Sequence, residues 1–193
     1  MCVSFTSVAA MAAPPVLPVT GPAKPVPGWT DYCRRNPNAC SSDIVPDQIL
    51  TYDAGLLGLL ERVDRQVNHG IEQITDRVHW GVEDRWDLPT DGKGDCEDLA
   101  ILKRKLLMDA GLPRSALPLL IGWTPDDEGH TVLLVRTDRG DLVLDDRNDD
   151  ILSWCETPYR FVERQSNTSE SEWVSVFGEK KPADCRIERT KRP

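Results

Sequence analysis

Residues 91–107 read DGKGDCEDLAILKRKLL. A single cysteine, Cys96, stands behind two glycines and between carboxylates, at the head of a run with helical periodicity. Leu99, Leu102, Leu106 and Ala110 recur at steps of three and four, and Ala100 and Leu107 widen the face. The spacing predicts a helix from Asp95 or Cys96 to Ala110, ended by Gly111 and Pro113. Glu97 and Asp98 in its first turn suit the positive end of the helix dipole, with Lys103, Arg104 and Lys105 further along.

Downstream the period changes. LPLLIGW, HTVLLVRT and DLVLDD are short, rich in Val and Leu, and bounded by turn residues. TDRGD between the last two reads as a tight hairpin connection, and YRFVERQ and EWVSVF as further strands. Upstream, TYDAGLLGLLERVDRQVNHGIEQITDRVHWG places Leu56, Leu59, Leu60, Val63, Val67, Ile71 and Ile74 on one helical stripe, with Gly70 as a point of bending. Helices first and antiparallel strands after predict an α+β domain, its N-terminal helices packed on one side of a sheet.

The chain has 193 residues, enough for one domain with a proper core and too few for two ordinary ones. It is 39% hydrophobic and 28% charged, with a net charge of −9, a pI near 4.8 and a mean hydropathy of −0.41. That balance excludes a nucleic-acid binder, which needs a basic stripe. No run of about 18 apolar residues exists to span a membrane. Residues 1–28 divide into a signal-like start, MCVSFTSVAAMAAPP, and a proline-rich stretch with six prolines over 14–28 that reads as an extended linker without its own core. The globular domain is then expected over 29–180, followed by a basic tail at 181–193.

Six cysteines bear on compartment. Cys33 and Cys40 flank a short turn-rich loop, and Cys155 and Cys185 fall late. The four suit two disulfides, Cys33–Cys40 and Cys155–Cys185, and hence an oxidising, periplasmic or extracellular setting. Zinc is disfavoured, because the cysteine spacing is wrong and His69, His79 and His130 are not clustered with them.

Cys96 at a helix start, His130 opening one strand and Asp145 closing the next make a Cys-His-Asp set. A helix N-terminus and an imidazolium lower a thiol pKa, and a carboxylate fixes the imidazole tautomer. His130 and Asp145 belong to one hairpin and can lie side by side. Asp146 competes for the third place, and strand alternation should allow only one of the two acids to serve.

GDCEDLAILKRKLLMDAGLP, GHTVLLV and LVLDD, with HWGVEDRWDLP and YCRRNPNAC upstream, resemble the bacterial transglutaminase-like cysteine proteinases, of which the LapG-like periplasmic proteases are a type. The resemblance covers about residues 29–178. It implies a papain-like, transglutaminase-like α+β core, with Cys96 as nucleophile, His130 as general base and Asp145 as its orienting acid. It also implies calcium held by acids beside the cysteine, here Asp95, Glu97 and Asp98. A large surface adhesin as protein substrate and an inner-membrane receptor that sequesters the protease are implied as partners. Each carboxylate near the thiol disfavours the thiolate by about 1–4 kcal/mol at 4 Å. The helix dipole returns under about 1 kcal/mol, whereas Ca²⁺, which takes oxygen ligands, would reverse the sign. Two rival functions remain from the sequence: acyl transfer to an amine through the same thioester, and a non-catalytic calcium-dependent binding module.

Overall fold

A computed structural model describes residues 15–40 and 43–176. The signal-like start, Cys185 and the basic tail lie outside the described residues. In chain order the elements are β1 (Val19–Ala23), α1 (Pro27–Arg35), α2 (Ala54–Gly70), β2 (Glu72–Gln73), α3 (Asp76–His79), β3 (Lys93–Gly94) and α4 (Cys96–Asp109). A short 3₁₀ turn at Arg114–Ala116 leads into β4 (Leu119–Trp123), β5 (Gly129–Thr137), β6 (Gly140–Asp145), β7 (Asn148–Ser153), β8 (Arg160–Gln165) and β9 (Trp173–Val176). This is the expected α+β architecture. Seven strands form one antiparallel sheet in the order β1-β9-β8-β4-β5-β6-β7, with α2 and α4 laid over its β5–β7 half.

The runs of Val and Leu that lacked a clear period of two are explained by burial on both faces. Leu119, Leu133, Val135, Leu142 and Leu144 join the helix-side core with Leu60 and Leu107, while Leu120, Val132, Leu134 and Val143 join a second cluster with Trp154, Tyr159 and Phe161. The proline-rich stretch helps to close that second face and is not a free linker. Leu17 is 2% exposed, its amide donates to Asp141 at 2.8 Å, and the Pro15 carbonyl accepts from the Trp154 indole at 2.9 Å. Val19–Ala23 then pairs with β9 as the edge strand, the one place in a sheet where proline is tolerated.

The long helix expected through residue 81 stops at Gly70. Asp53 caps its start by accepting from the Leu56 amide at 2.8 Å, and Leu56, Leu60, Val63 and Val67 form the buried stripe. Past Gly70 the chain turns into a two-residue parallel pairing, Glu72 with Lys93 and Gln73 with Gly94. This pairing sets α3 and the loop after it against the N-terminus of α4. Residues β7 and β1 supply were missed in the sequence because acids and prolines mask their strand character; β7 is a plain antiparallel partner of β6.

Helix α4 spans Cys96–Asp109, as the spacing predicts, but its buried face is rotated. Leu99, Ala100, Ile101 and Leu107 are in the core, and so are Lys103 and Arg104, whereas Leu102 and Leu106 are half-buried. Lys103 Nζ meets Asp64 of α2 at 2.7 Å, both side chains being 1% exposed or less. Arg104 reaches the Leu117 carbonyl at 2.9 Å and Glu170 at 2.6 Å, and Glu170 also pairs with Arg114 at 3.0 Å. Lys103 and Arg104 therefore fasten α4 to its neighbours, while Lys105 faces water and pairs with Asp109 of the same helix.

Cys33 and Cys40 form the expected disulfide, with Cα atoms 5.5 Å apart. Cys155 is disulfide-bonded as well; Cys185, its expected partner, is outside the described residues.

Lys103→Met should lose about 3–5 kcal/mol in urea unfolding, since it strands Asp64 as a buried uncompensated charge. The double variant Asp64→Leu/Lys103→Met should recover most of that loss, because two apolar side chains leave no charge behind.

Candidate active site

The β5–β6 hairpin brings His130 and Asp145 together. His130 Nε2 lies 2.8 Å from Asp145 Oδ1, with both side chains nearly inaccessible. The Tyr159 hydroxyl donates to the other Asp145 oxygen, and its ring stands edge-on to the imidazole at 4.8 Å. Burial pushes the Asp145 carboxyl up, but the hydrogen bonds from His130 and Tyr159 outweigh it and hold the group below its ordinary range. Asp146 is not turned away, contrary to the alternation argument. It follows the last residue of β6 in a tight turn, and its Oδ1 lies 3.6 Å from the same Nε2. Asp145 has the hydrogen-bonding distance; Asp146 is pushed up by burial and keeps a buried oxygen without a partner.

Several contacts hold this turn. Asn68, near the end of α2, donates to the Asp145 carbonyl and to Asp149, each at 2.9 Å, and Gln73 donates to the Asp146 carbonyl at 3.1 Å. With Nε2 committed to Asp145, the second imidazole nitrogen, Nδ1, is buried and has no partner. It is the one atom of the ring left to exchange a proton with a nucleophile.

Cys96 opens α4 beside that ring. The amide of Thr131, the residue after His130, donates to Cys96 Sγ at 3.5 Å, and the thiol itself donates to Glu97 Oε2 at 3.0 Å. Cys96 and His130 line one cleft of about 920 Å³. Among the described residues Cys96 is the free cysteine.

The acids around it are more numerous than expected. Besides Asp95, Glu97 and Asp98, the loop set in place by β2 and β3 contributes Asp76 and Asp84. Carboxylate oxygens of Asp76, Asp84 and Glu97 lie within 4.8 Å of one another, as do those of Asp76, Asp95 and Asp98. Sequence reasoning missed Asp76 because it fell in the stretch taken for helix, and Asp84 because nothing in the loop after that stretch marked it as a ligand. The cluster is knitted to the backbone: Asp95 accepts from the Asp76 amide at 3.1 Å, Asp98 from the Asp87 amide at 2.6 Å, Asp84 from the Trp86 indole at 2.8 Å, and Asp76 from the Arg85 amide. Gly94 is required here, since a Cβ on it would come within 2.8 Å of Asp98 Cβ. Gly28 in α1 is required in the same way, its open side being filled by Trp86 and Asp84.

Burial and mutual repulsion make this cluster reluctant to ionise. Asp98 is pushed up to about 8, first by burial and then by Asp95 and Asp76. Glu97 and Asp95 are both raised, by burial and by neighbouring acids. Cys96 goes well above its ordinary value, first through burial and then through Glu97. Without a cation the thiol is thus held neutral, with the direction the sequence argument gives. The donor set suits a hard dication: carboxylate oxygens from three segments, with Asp95 Oδ1 buried and unpartnered.

A family model described as bacterial transglutaminase-like cysteine proteinase BTLCP matches residues 19–181. The chain belongs to this family. It is therefore a cysteine peptidase with a transglutaminase-like fold. Among solved structures, calcium-bound LapG of Legionella pneumophila is similar with a TM-score of 0.54 and 24% identity, covering 66% of this chain and 71% of that one. Two further Legionella pneumophila LapG structures, one of them EGTA-treated, give 0.53 and 26% identity over 62% of this chain and 67% of theirs. No curated protein matches. Among the described residues no helix is long and apolar enough to cross a membrane.

Because Asp98 and its neighbours bind protons more tightly folded than unfolded, ionising them opposes folding. In EGTA, stability should fall as pH rises from about 4, the ordinary carboxylate value, through about 8, the folded value of Asp98. Calcium should raise the melting temperature more at pH 8 than at pH 5. Differential scanning fluorimetry across that range checks both slopes.

Proposed function

We propose that the chain is a periplasmic thiol endopeptidase that uses Cys96, His130 and Asp145 and depends on calcium. The observation that carries the reading is the polarity of the imidazole: Nε2 is tied to a carboxylate held ionised by His130 and Tyr159, which leaves Nδ1 as the unpartnered ring nitrogen at a cleft that Cys96 also lines. His130 Nδ1 takes the thiol proton as the sulfur attacks the peptide carbonyl carbon. The C–N bond then breaks, the leaving amine takes that proton, and a thioester remains on Cys96. Water, activated by the same nitrogen, hydrolyses the thioester and returns the thiol. Amides of the first turn of α4, which have no acceptor within the helix, are placed to stabilise the oxyanion.

Asp76, Asp84, Asp95, Glu97 and Asp98 would hold the calcium. Bound there, the cation supplies the positive charge that lets the cluster ionise and the neighbouring thiolate form. Glu97 is the hinge of this arrangement, since the same carboxylate accepts the thiol proton bond in the cation-free chain. Two similar structures, one calcium-bound and one EGTA-treated, support calcium as the ion. The disulfide Cys33–Cys40 supports an oxidising compartment. A large surface adhesin as substrate, and an inner-membrane receptor that sequesters the protease, follow from the family resemblance and complete the proposal.

Cys96→Ala and His130→Ala should abolish proteolysis with the fold intact by circular dichroism, and Asp145→Asn should cost of order 10²-fold or more. Asp146→Asn should cost less than Asp145→Asn; the reverse order would move the third role to Asp146. The activity itself is tested by incubating the calcium-loaded protein with outer-membrane extracts and sequencing new N-termini. New termini that appear with wild type and not with Cys96→Ala support the reading, and identical termini with both would overturn it.

A further inference from the structure

Thr131, Ile121 and Glu163 line the cleft and belong to a row of residues that lie side by side across the sheet. Register aligns Thr131 of β5 with Ile121 of β4, Ile121 with Glu163 of β8, Glu163 with Ser175 of β9, and Ser175 with Gly21 of β1. In-register neighbours on antiparallel strands share a face. Here it is the helix-side face, because Leu119, Leu133 and Trp173 in adjacent rows belong to that core. The row starts at Cys96, whose sulfur accepts from the Thr131 amide. It ends in the open at Gly21, where a Cβ would meet nothing within 4 Å. Trp86 and Val26 wall it from above. An extended polypeptide held with its scissile bond at Cys96 therefore has a track along this row, at right angles to the strands.

One side chain on the track is out of balance. Of the carboxylates that line the cleft, Asp76, Asp84, Asp95 and Glu97 belong to the acidic cluster, and Asp146 faces His130. Glu83 pairs with Arg77, and Glu128 pairs with Arg147 at 3.0 Å. Glu163 is half-buried between Ile121 and Ser175 and has no hydrogen bond or ion pair among the described residues. Burial raises its pKa. A carboxylate placed in a substrate track without a partner gains one only when the substrate brings a cation.

We infer that Glu163 is a specificity-determining residue that receives a Lys or Arg side chain of the substrate polypeptide. The inference rests on the peptidase reading above and adds its substrate preference. Two strand spacings separate Thr131 from Glu163, about 10 Å, which an extended chain covers in about three residues. The basic residue accordingly sits two to four residues from the scissile bond, on one side of it only.

The test is cleavage-site profiling with the full chain in calcium. The probe is a peptide library made by digesting a proteome after glutamate, so that Lys and Arg remain internal. Cuts that persist with Cys96→Ala are discarded. Wild type should favour Lys or Arg over neutral residues at one position in that window by about tenfold. Glu163→Gln should erase the preference, and Glu163→Lys should turn it toward Asp, with melting temperatures close to wild type showing that both variants fold. No basic preference in wild type, or the same preference in all three proteins, would overturn the inference and leave the peptidase reading standing. If every cut persists with Cys96→Ala, the peptidase reading falls and this inference with it.

Discussion

The arrangement turns on a conflict of charge at one helix end. A nucleophilic thiol must become negative, and this fold surrounds it with carboxylates from α3, the loop after it and the head of α4, of which Asp76, Glu97 and Asp98 are buried. The helix dipole is far too weak to balance them. The Asp145–His130 pair lies beside the thiol, whose hydrogen bond goes to Glu97. Everything that positions these acids so rigidly, from the β2–β3 pairing to the close approach at Gly94, is wasted effort for a thiol chemistry that runs without a cation. A cluster of carboxylate oxygens is the donor set that a hard dication takes.

The rest of the fold can be understood as support for that end of α4. The helix is fastened by two buried basic residues, Lys103 to α2 and Arg104 to the loop before β9. The β5–β6 strands beneath it carry His130 and Asp145 with core on both faces, so neither can shift without disturbing packing. Asn68 and Gln73 tie the Asp145–Asp146 turn to the C-terminal end of α2 and to β2. One short segment, residues 68–76, thus touches both the imidazole's acid and the acidic cluster.

Much of this was legible in the sequence, for reasons that differ by residue. Helix α4, the β5–β6 hairpin and the Cys33–Cys40 disulfide are set by local periodicity, turn residues and short spacing, and each is found. The placement of Cys96 and His130 on one cleft, with Asp145 on the imidazole, followed from those elements. Asp76 and Asp84 were invisible because their role depends on a two-residue pairing that ends α2 early, and Ile71 and Ile74 continue the helical stripe past that point. Strand β1 was hidden by its prolines, which an edge strand tolerates, and β7 by its acids. Lys103 and Arg104 looked like a solvated patch, since only the partner's position reveals that a charge is buried and paired.

The most direct test of the account is the rate at which iodoacetamide alkylates Cys96 near pH 7. It should be measured in EGTA, then with calcium or magnesium restored, for wild type and Asp76→Asn. Alkylation that is slow in EGTA, at least tenfold faster with calcium, little changed by magnesium and unresponsive to calcium in Asp76→Asn is the predicted result. Equal rates in EGTA and calcium would contradict the claim that a cation resolves the charge conflict at the head of α4.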